Sequence, residues 1–178
     1  MTPLYFQGTV FYCEDYLNTD VIAPGRYDPI YEKNKLAQIA LIDYSPIEPF
    51  VDPNKGFSKF SFIIGGIDFG CGSSRETAPM AIAAAGCKII IAKSFARIFF
   101  RNCINMGLIY PIILDHPFGN EIHGKNISVD FKDRVIQYEN TVLKFCRLSE
   151  NLEQIFECGG LGPYNKNLLQ QHSSKITT

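Results

Sequence analysis

Apolar positions along this chain fall into two rhythms. "FSFIIGGI" (60–67), "CKIIIAK" (87–93) and "LIYPIIL" (108–114) are short, almost continuous apolar runs, the pattern of strands covered on both faces. Between them stand "APMAIAAAG" and "SFARIFFRNCINMG", helical patterns closed by Gly86 and Gly107, since glycine readily takes the left-handed turn that ends a helix. Strands and helices alternating at this spacing predict right-handed βαβ crossovers and a mainly parallel sheet. After Pro117 the rhythm shortens to "NISVDF", "RVIQYE" and "TVLKFCRL", whose alternation predicts antiparallel strands.

The flanks are less regular. "LYFQGTVFYC" (4–13) has the aromatic and β-branched content of a strand, although "PLYFQG" also resembles a leftover tag. Residues 24–56 carry five prolines around one short helix near "YEKNKLAQIAL", so this connection is expected to be a functional loop or lid. "SENLEQIFECGG" predicts a helix with Ser149 as N-cap, and residues 166–178 are expected to be a flexible tail. The expected architecture is one α/β domain over residues 1–165, with a mixed sheet, a βαβαβ core and an antiparallel C-terminal part.

With 46% apolar and 20% charged residues, the chain can bury one core. A formal net charge of −1 gives no general attraction to nucleic acid or anionic lipid, and no apolar stretch reaches the ~20 residues a membrane span needs. Neither is expected as a partner. Cysteines 13, 71, 87, 103, 146 and 158 never approach CxxC spacing, so no metal site is expected in this chain, and reduced thiols point to the inside of a cell. His116, His123 and His172 lie apart in polar segments and are expected to be solvated.

The chemistry concentrates in "DFGCGSSRETAP" (68–79), where a strand hands over to a helix. Ser73 and Glu76 have the spacing of a capping box, but Pro79 places the helix start near residues 76–78, which makes Thr77 the better cap. Gly70 and Gly72 begin a dinucleotide fingerprint that Arg75 breaks, and a serine-hydrolase elbow would need glycines this loop lacks. A third reading is an anion and carbanion site. Loop N–H groups at a helix entrance and the Arg75 fork would stabilise negative charge, and in that field a serine could act as a general base.

"DFGCGSSRETAP", with "AAAGCKIIIAKSFARIFFRN", "GLIYPIIL" and "DYLNTDVIAPGRY", resembles the small subunit of 3-isopropylmalate dehydratase (isopropylmalate isomerase), related to the aconitase swivel domain, over residues 9–115. The resemblance implies a swivelling three-layer β/β/α domain. It also implies a hydro-lyase that converts 2-isopropylmalate to 3-isopropylmalate by way of isopropylmaleate. The implied partner is a large subunit carrying a four-iron, four-sulfur cluster, in a heterodimer or heterotetramer, in the cytoplasm or in an organelle stroma.

By motif, Ser73 matches the serine that takes and returns the carbon-bound proton, supported by Ser74, and Arg75 matches the arginine that binds a carboxylate of the hydroxy-dicarboxylic acid. Gly72, Cys71, Thr77 and Asp20 would surround them; Asp20 matches an aspartate near the aconitase site and also reads as an Asx-turn residue. Residues 24–56 lie where the family selects its substrate, with Arg26 and Tyr27 as the loop residues singled out. Thr77 departs from the histidine usual after "SSRE", which leaves open a related hydro-lyase for another substituted malate, or a non-catalytic carboxylate-binding module. Arg97 and Arg101 share a helix face opposite a stripe of Phe95, Ile98 and Phe99.

Overall fold

The three apolar runs form the parallel half of a sheet: β2 (Phe60–Gly65), β3 (Ile89–Ala92) and β4 (Tyr110–Ile113), with β1 (Tyr5–Tyr12) beside β2. The computed structural model describes residues 5–28, 30 and 32–176, with side chains through residue 171. On its other edge β1 pairs antiparallel with β5 (Asn126–Asp130), followed by β6 (Val135–Tyr138) and β7 (Thr141–Lys144). The strand order is β4-β3-β2-β1-β5-β6-β7.

The two halves curl into separate layers. Val10, Phe62, Ile64 and Ile91 share one core with Ile127, Val129 and Ile136 of the antiparallel half. On the opposite face, Phe11, Ile63 and Ile90 pack with Ala81, Ile82 and Ala85 of α3 (Thr77–Ala85) and with Phe99 and Cys103 of α4 (Arg97–Met106). Each fully buried Ile or Phe contributes about 1.5–3 kcal/mol, so coverage on both faces makes the central strands continuous apolar runs. The expected β/β/α layering and mixed sheet are therefore present, and Gly86 (φ 118°) and Gly107 (φ 62°) close α3 and α4.

Two short elements fill part of the 24–56 connection: a 3-10 turn, Gly25–Tyr27, and α2 (Lys33–Ile39), which packs on α3. At the other end, α5 (Glu150–Glu157) is tied to β4 through Glu153, which accepts hydrogen bonds from the Tyr110 hydroxyl and from Arg147 Nη2 at 3.0 Å. Ser149 occupies the N-cap of α5 but makes no side-chain bond there; its carbonyl accepts from Glu153 N–H at 2.9 Å. Residues 166–176, expected as a tail, continue α6 (Leu161–Ile176), whose Pro163 stands in the first turn, where no N–H is needed. Ile98, expected in the apolar stripe of α4, is 45% exposed.

The histidine expectation is overturned at two positions, and His172 lies outside the described side chains. His123 accepts the Tyr12 N–H on Nδ1 at 3.3 Å and fits edgewise against Phe11 and Phe60. His116 is buried against Phe118, with Nε2 2.9 Å from the Gly65 carbonyl and Nδ1 unpartnered. Burial pushes the His116 pKa below its ordinary 6.5. Because the unfolded chain takes up this proton first, stability is full above pH 6.5 and declines as pH falls below it. Urea midpoints should therefore drop between pH 7.5 and 5.5 in a series at fixed ionic strength, and His116→Asn should lessen the drop; an equal drop in both proteins would assign it elsewhere.

Candidate active site

The segment after β1 and the loop after β2 are stitched together by backbone. Gly70 N–H donates to the Leu17 carbonyl and Thr19 N–H to the Cys71 carbonyl, both at 2.8 Å, and Thr19 Oγ1 donates to the Ser73 carbonyl at 2.9 Å. Burial and Asp68 raise the Cys71 thiol above its usual pKa, and it donates to the Tyr16 carbonyl at 3.2 Å. Gly72 (φ 92°) lies so close to Asn18 that a Cβ would stand 2.5 Å from Oδ1. Cys71 and Gly72 thus hold the loop's shape.

Asn18 has the extended backbone of a helix cap (φ −80°, ψ 145°) and its side chain accepts Asp20 N–H at 2.8 Å, opening the single turn α1 (Thr19–Ile22). The Asx role belongs to Asn18, which leaves the Asp20 carboxylate free for another partner. That partner is Arg75: Nη2 lies 2.5 Å from Asp20 Oδ1, and Nη1 lies 2.7 Å from Asp28 Oδ2. Gly25 passes against the guanidinium, where a Cβ would stand 2.7 Å from both Nη atoms. Arg75 Nε is buried and has no partner among the described residues.

Ser73 and Ser74 are exposed. Neither hydroxyl has a partner among the described residues, and the backbone N–H groups of Gly72, Ser73 and Ser74 are likewise unpaired there. Both capping readings fail at α3. The N-cap position is Glu76, already helical (φ −68°, ψ −29°) and with no side-chain cap bond, so neither Ser73 nor Thr77 caps the helix. Thr77 is instead the first residue of α3 and half-buried. Loop N–H groups without partners beside an arginine form an arrangement suited to developing negative charge.

Arg26 pairs with Asp43 at 2.7 Å and lies over the Tyr27 ring at 4.6 Å, while Tyr27 packs on the helical core. Together they pin the turn that delivers Asp28. A cavity of about 440 Å³ opens farther along the same connection, lined by Leu41, Ile42, Phe50 and Val51 among others, but by no residue of the 68–77 loop. Arg97 and Arg101 are exposed on α4. Among the described residues no three His, Cys, Asp or Glu converge as metal ligands, all six thiols are free, and no helix is long and apolar enough to cross a membrane.

Asn18, Thr19, Gly25 and Asp28 escaped the sequence reading. The "NTD" motif held a signal for Asn18, since either Asx residue could cap the turn. Asp28 had none, because its partner Arg75 is 47 positions away.

The curled mixed sheet with its flanking helices is that of an aconitase-type swivel domain, and the family described as Aconitase C-terminal domain matches residues 30–117. Within that class, the chain belongs to the 3-isopropylmalate dehydratase small-subunit family. It is 37% identical over 168 residues to the isopropylmalate/citramalate isomerase small subunit of Methanocaldococcus jannaschii, covering 93% of this chain and 96% of that one. It is 39% identical to the 3-isopropylmalate dehydratase small subunit of Aquifex aeolicus, covering 92% and 96%. With 3-isopropylmalate dehydratase small subunit 3 of Arabidopsis thaliana it is 45% identical over 60% of this chain, a match that spans 45% of that relative's length. The crystal structure of 3-isopropylmalate dehydratase from Methanocaldococcus jannaschii superposes with a TM-score of 0.81 at 33% identity, over 96% of this chain and 99% of that one.

Proposed function

We propose that this chain is the small subunit of a hydro-lyase that isomerises 2-isopropylmalate to 3-isopropylmalate by way of isopropylmaleate, a step of leucine biosynthesis, and that it acts only together with a large subunit. The observation that carries this reading is the loop at residues 72–75: an exposed Ser73 hydroxyl among backbone N–H groups, all without a partner among the described residues, followed by an arginine. Ser73 Oγ takes the proton from substrate carbon and returns it during rehydration. Its ionised form is stabilised by the loop's N–H groups, as general-base work by a serine requires. Ser74 extends the same hydrogen-bonding surface, and Arg75 binds a substrate carboxylate through its planar fork.

The Lewis acid for the leaving hydroxyl would come from a four-iron, four-sulfur cluster held by the large subunit. Water leaves substrate as the carbon-bound hydrogen and the neighbouring hydroxyl, and adds back with the two positions exchanged. Residues 24–56 form the specificity loop, with Arg26 and Tyr27 fixing its first turn. The six free thiols accord with a reducing cytoplasm or organelle stroma.

The test mixes the chain anaerobically with a cluster-loaded large subunit and follows isopropylmaleate absorbance from 2-isopropylmalate. Turnover is expected from the mixture and from neither chain alone. The Methanocaldococcus relative's name covers citramalate as well, and Thr77 stands where the family has histidine, so citramalate belongs in the same assay. Turnover of citramalate alone would reassign the substrate, and a stable complex without turnover of either acid would mark a non-catalytic carboxylate-binding module.

A further inference from the structure

Both Nη groups of Arg75 already hold a carboxylate. Asp20 and Asp28 each take one Nη, the guanidinium side chain is only 22% exposed, and the backbone at Gly25 closes over its edge. One positive and two negative charges leave this cluster at −1, so an incoming dicarboxylate meets net repulsion until one aspartate withdraws.

The two aspartates are held very differently. Asp20 sits in α1, capped by Asn18 and stitched to the catalytic loop through Thr19. Asp28 follows a single 3-10 turn, and the one backbone hydrogen bond it makes among the described residues runs from its N–H to the Gly25 carbonyl at 3.0 Å. Upstream, the turn is anchored by Arg26 on Asp43, and the next regular element begins at Lys33. Tyr27 and Ile30 on either side both pack on the helical core, so it is rotation of the Asp28 side chain, 42% exposed, that takes its carboxylate off Arg75 without disturbing Asp20, α1 or the 68–75 loop.

We infer that Asp28 is an internal stand-in for the substrate carboxylate, occupying the Nη1 side of Arg75 until substrate displaces it. This rests on the reading of Arg75 as the carboxylate clamp. Before substrate arrives, Asp28 keeps the guanidinium extended and neutralised; on binding, one carboxylate replaces another at the same donor, so the hydrogen-bond count on Arg75 is kept. The cost is a tax on affinity, because only the fraction of molecules with Asp28 withdrawn can bind.

The reconstituted complex tests this through KM and kcat for 2-isopropylmalate. Asp28→Asn, nearly isosteric and partly exposed, should lower KM about fivefold with kcat changed less than about twofold, the split expected when a competitor for the ground state is removed. An unchanged KM, or a raised KM with lost kcat, would overturn the inference, the second showing that Asp28 only positions Arg75. Arg75→Gln measured in parallel separates the two levels: if its KM does not rise, the clamp itself is wrong. On the isolated chain, phenylglyoxal labelling of Arg75 read by mass spectrometry should be severalfold faster in Asp28→Asn, and malate should protect that variant at lower concentration than wild type. Equal labelling and equal protection would overturn the proposal without any assay of turnover.

Discussion

Ser73→Ala is expected to lower kcat of the reconstituted complex about 10³-fold, within the range a positioned general base supplies, while KM for 2-isopropylmalate stays within about threefold. A thousandfold loss corresponds to about 4 kcal/mol of transition-state stabilisation. The structure separates this effect from folding. What Ser73 gives the loop is its carbonyl, which accepts Thr19 Oγ1 and Arg75 N–H, both at 2.9 Å; its hydroxyl holds none of the described residues. Alanine keeps both bonds at an exposed position, so the melting temperature should stay within about a degree of wild type. Loss of kcat with unchanged melting and unchanged association with the large subunit is the signature of a catalytic hydroxyl. Turnover near the wild-type level would remove Ser73 from the mechanism, and Ser74→Ala would then be the variant to measure.

What the sequence revealed and what it hid follow from the range of each interaction. The central strands were readable because burial on both faces leaves no polar alternation in "FSFIIGGI" or "CKIIIAK", and the helix ends because Gly86 and Gly107 act locally. Helix α6 was hidden: Gly162 and Pro163 interrupt the pattern at its start, most of its described residues are exposed, and it is held against α4 and α5. His116 and His123 sit in polar surroundings in sequence, yet the curled sheet closes over one and β1 with the 48–60 segment over the other. At the site, the loop's composition suggested an anion-binding turn, but the Asp20–Arg75–Asp28 cluster joins positions up to 55 residues apart. No local pattern carries that information. The same distinction explains Thr77, a good cap by type that the observed backbone at Glu76 makes unnecessary.

Gly70→Ala is expected to be the most destabilising change in the 68–77 loop, by about 4 kcal/mol. Gly70 is buried with φ at +80°, where an L side chain is strained by about 1–3 kcal/mol. Its new Cβ would also stand 2.2 Å from Phe99 Cγ. Phe99 has nowhere to go, being 2% exposed and packed edge-on against Phe69 at 5.5 Å and stacked with Phe95 at 6.4 Å. Overpacking of this kind costs a further 1–3 kcal/mol. Nor can the backbone retreat freely, because Gly70 N–H holds the Leu17 carbonyl at 2.8 Å and so fixes the segment that carries Asn18, Thr19 and Asp20. For a chain of this size the loss should lower the melting temperature by about 8–16 °C. Gly124→Ala is the natural comparison: its φ is +72°, but no atom lies within 4 Å of a Cβ there, so it reads the backbone strain without the clash. A difference of several degrees between the two variants isolates the contact with Phe99. If Gly70→Ala melts no lower than Gly124→Ala, the close packing of loop on α4 is not what sets the height of Ser73, and the rigidity of the 70–75 turn must come from its seam with residues 16–20 alone.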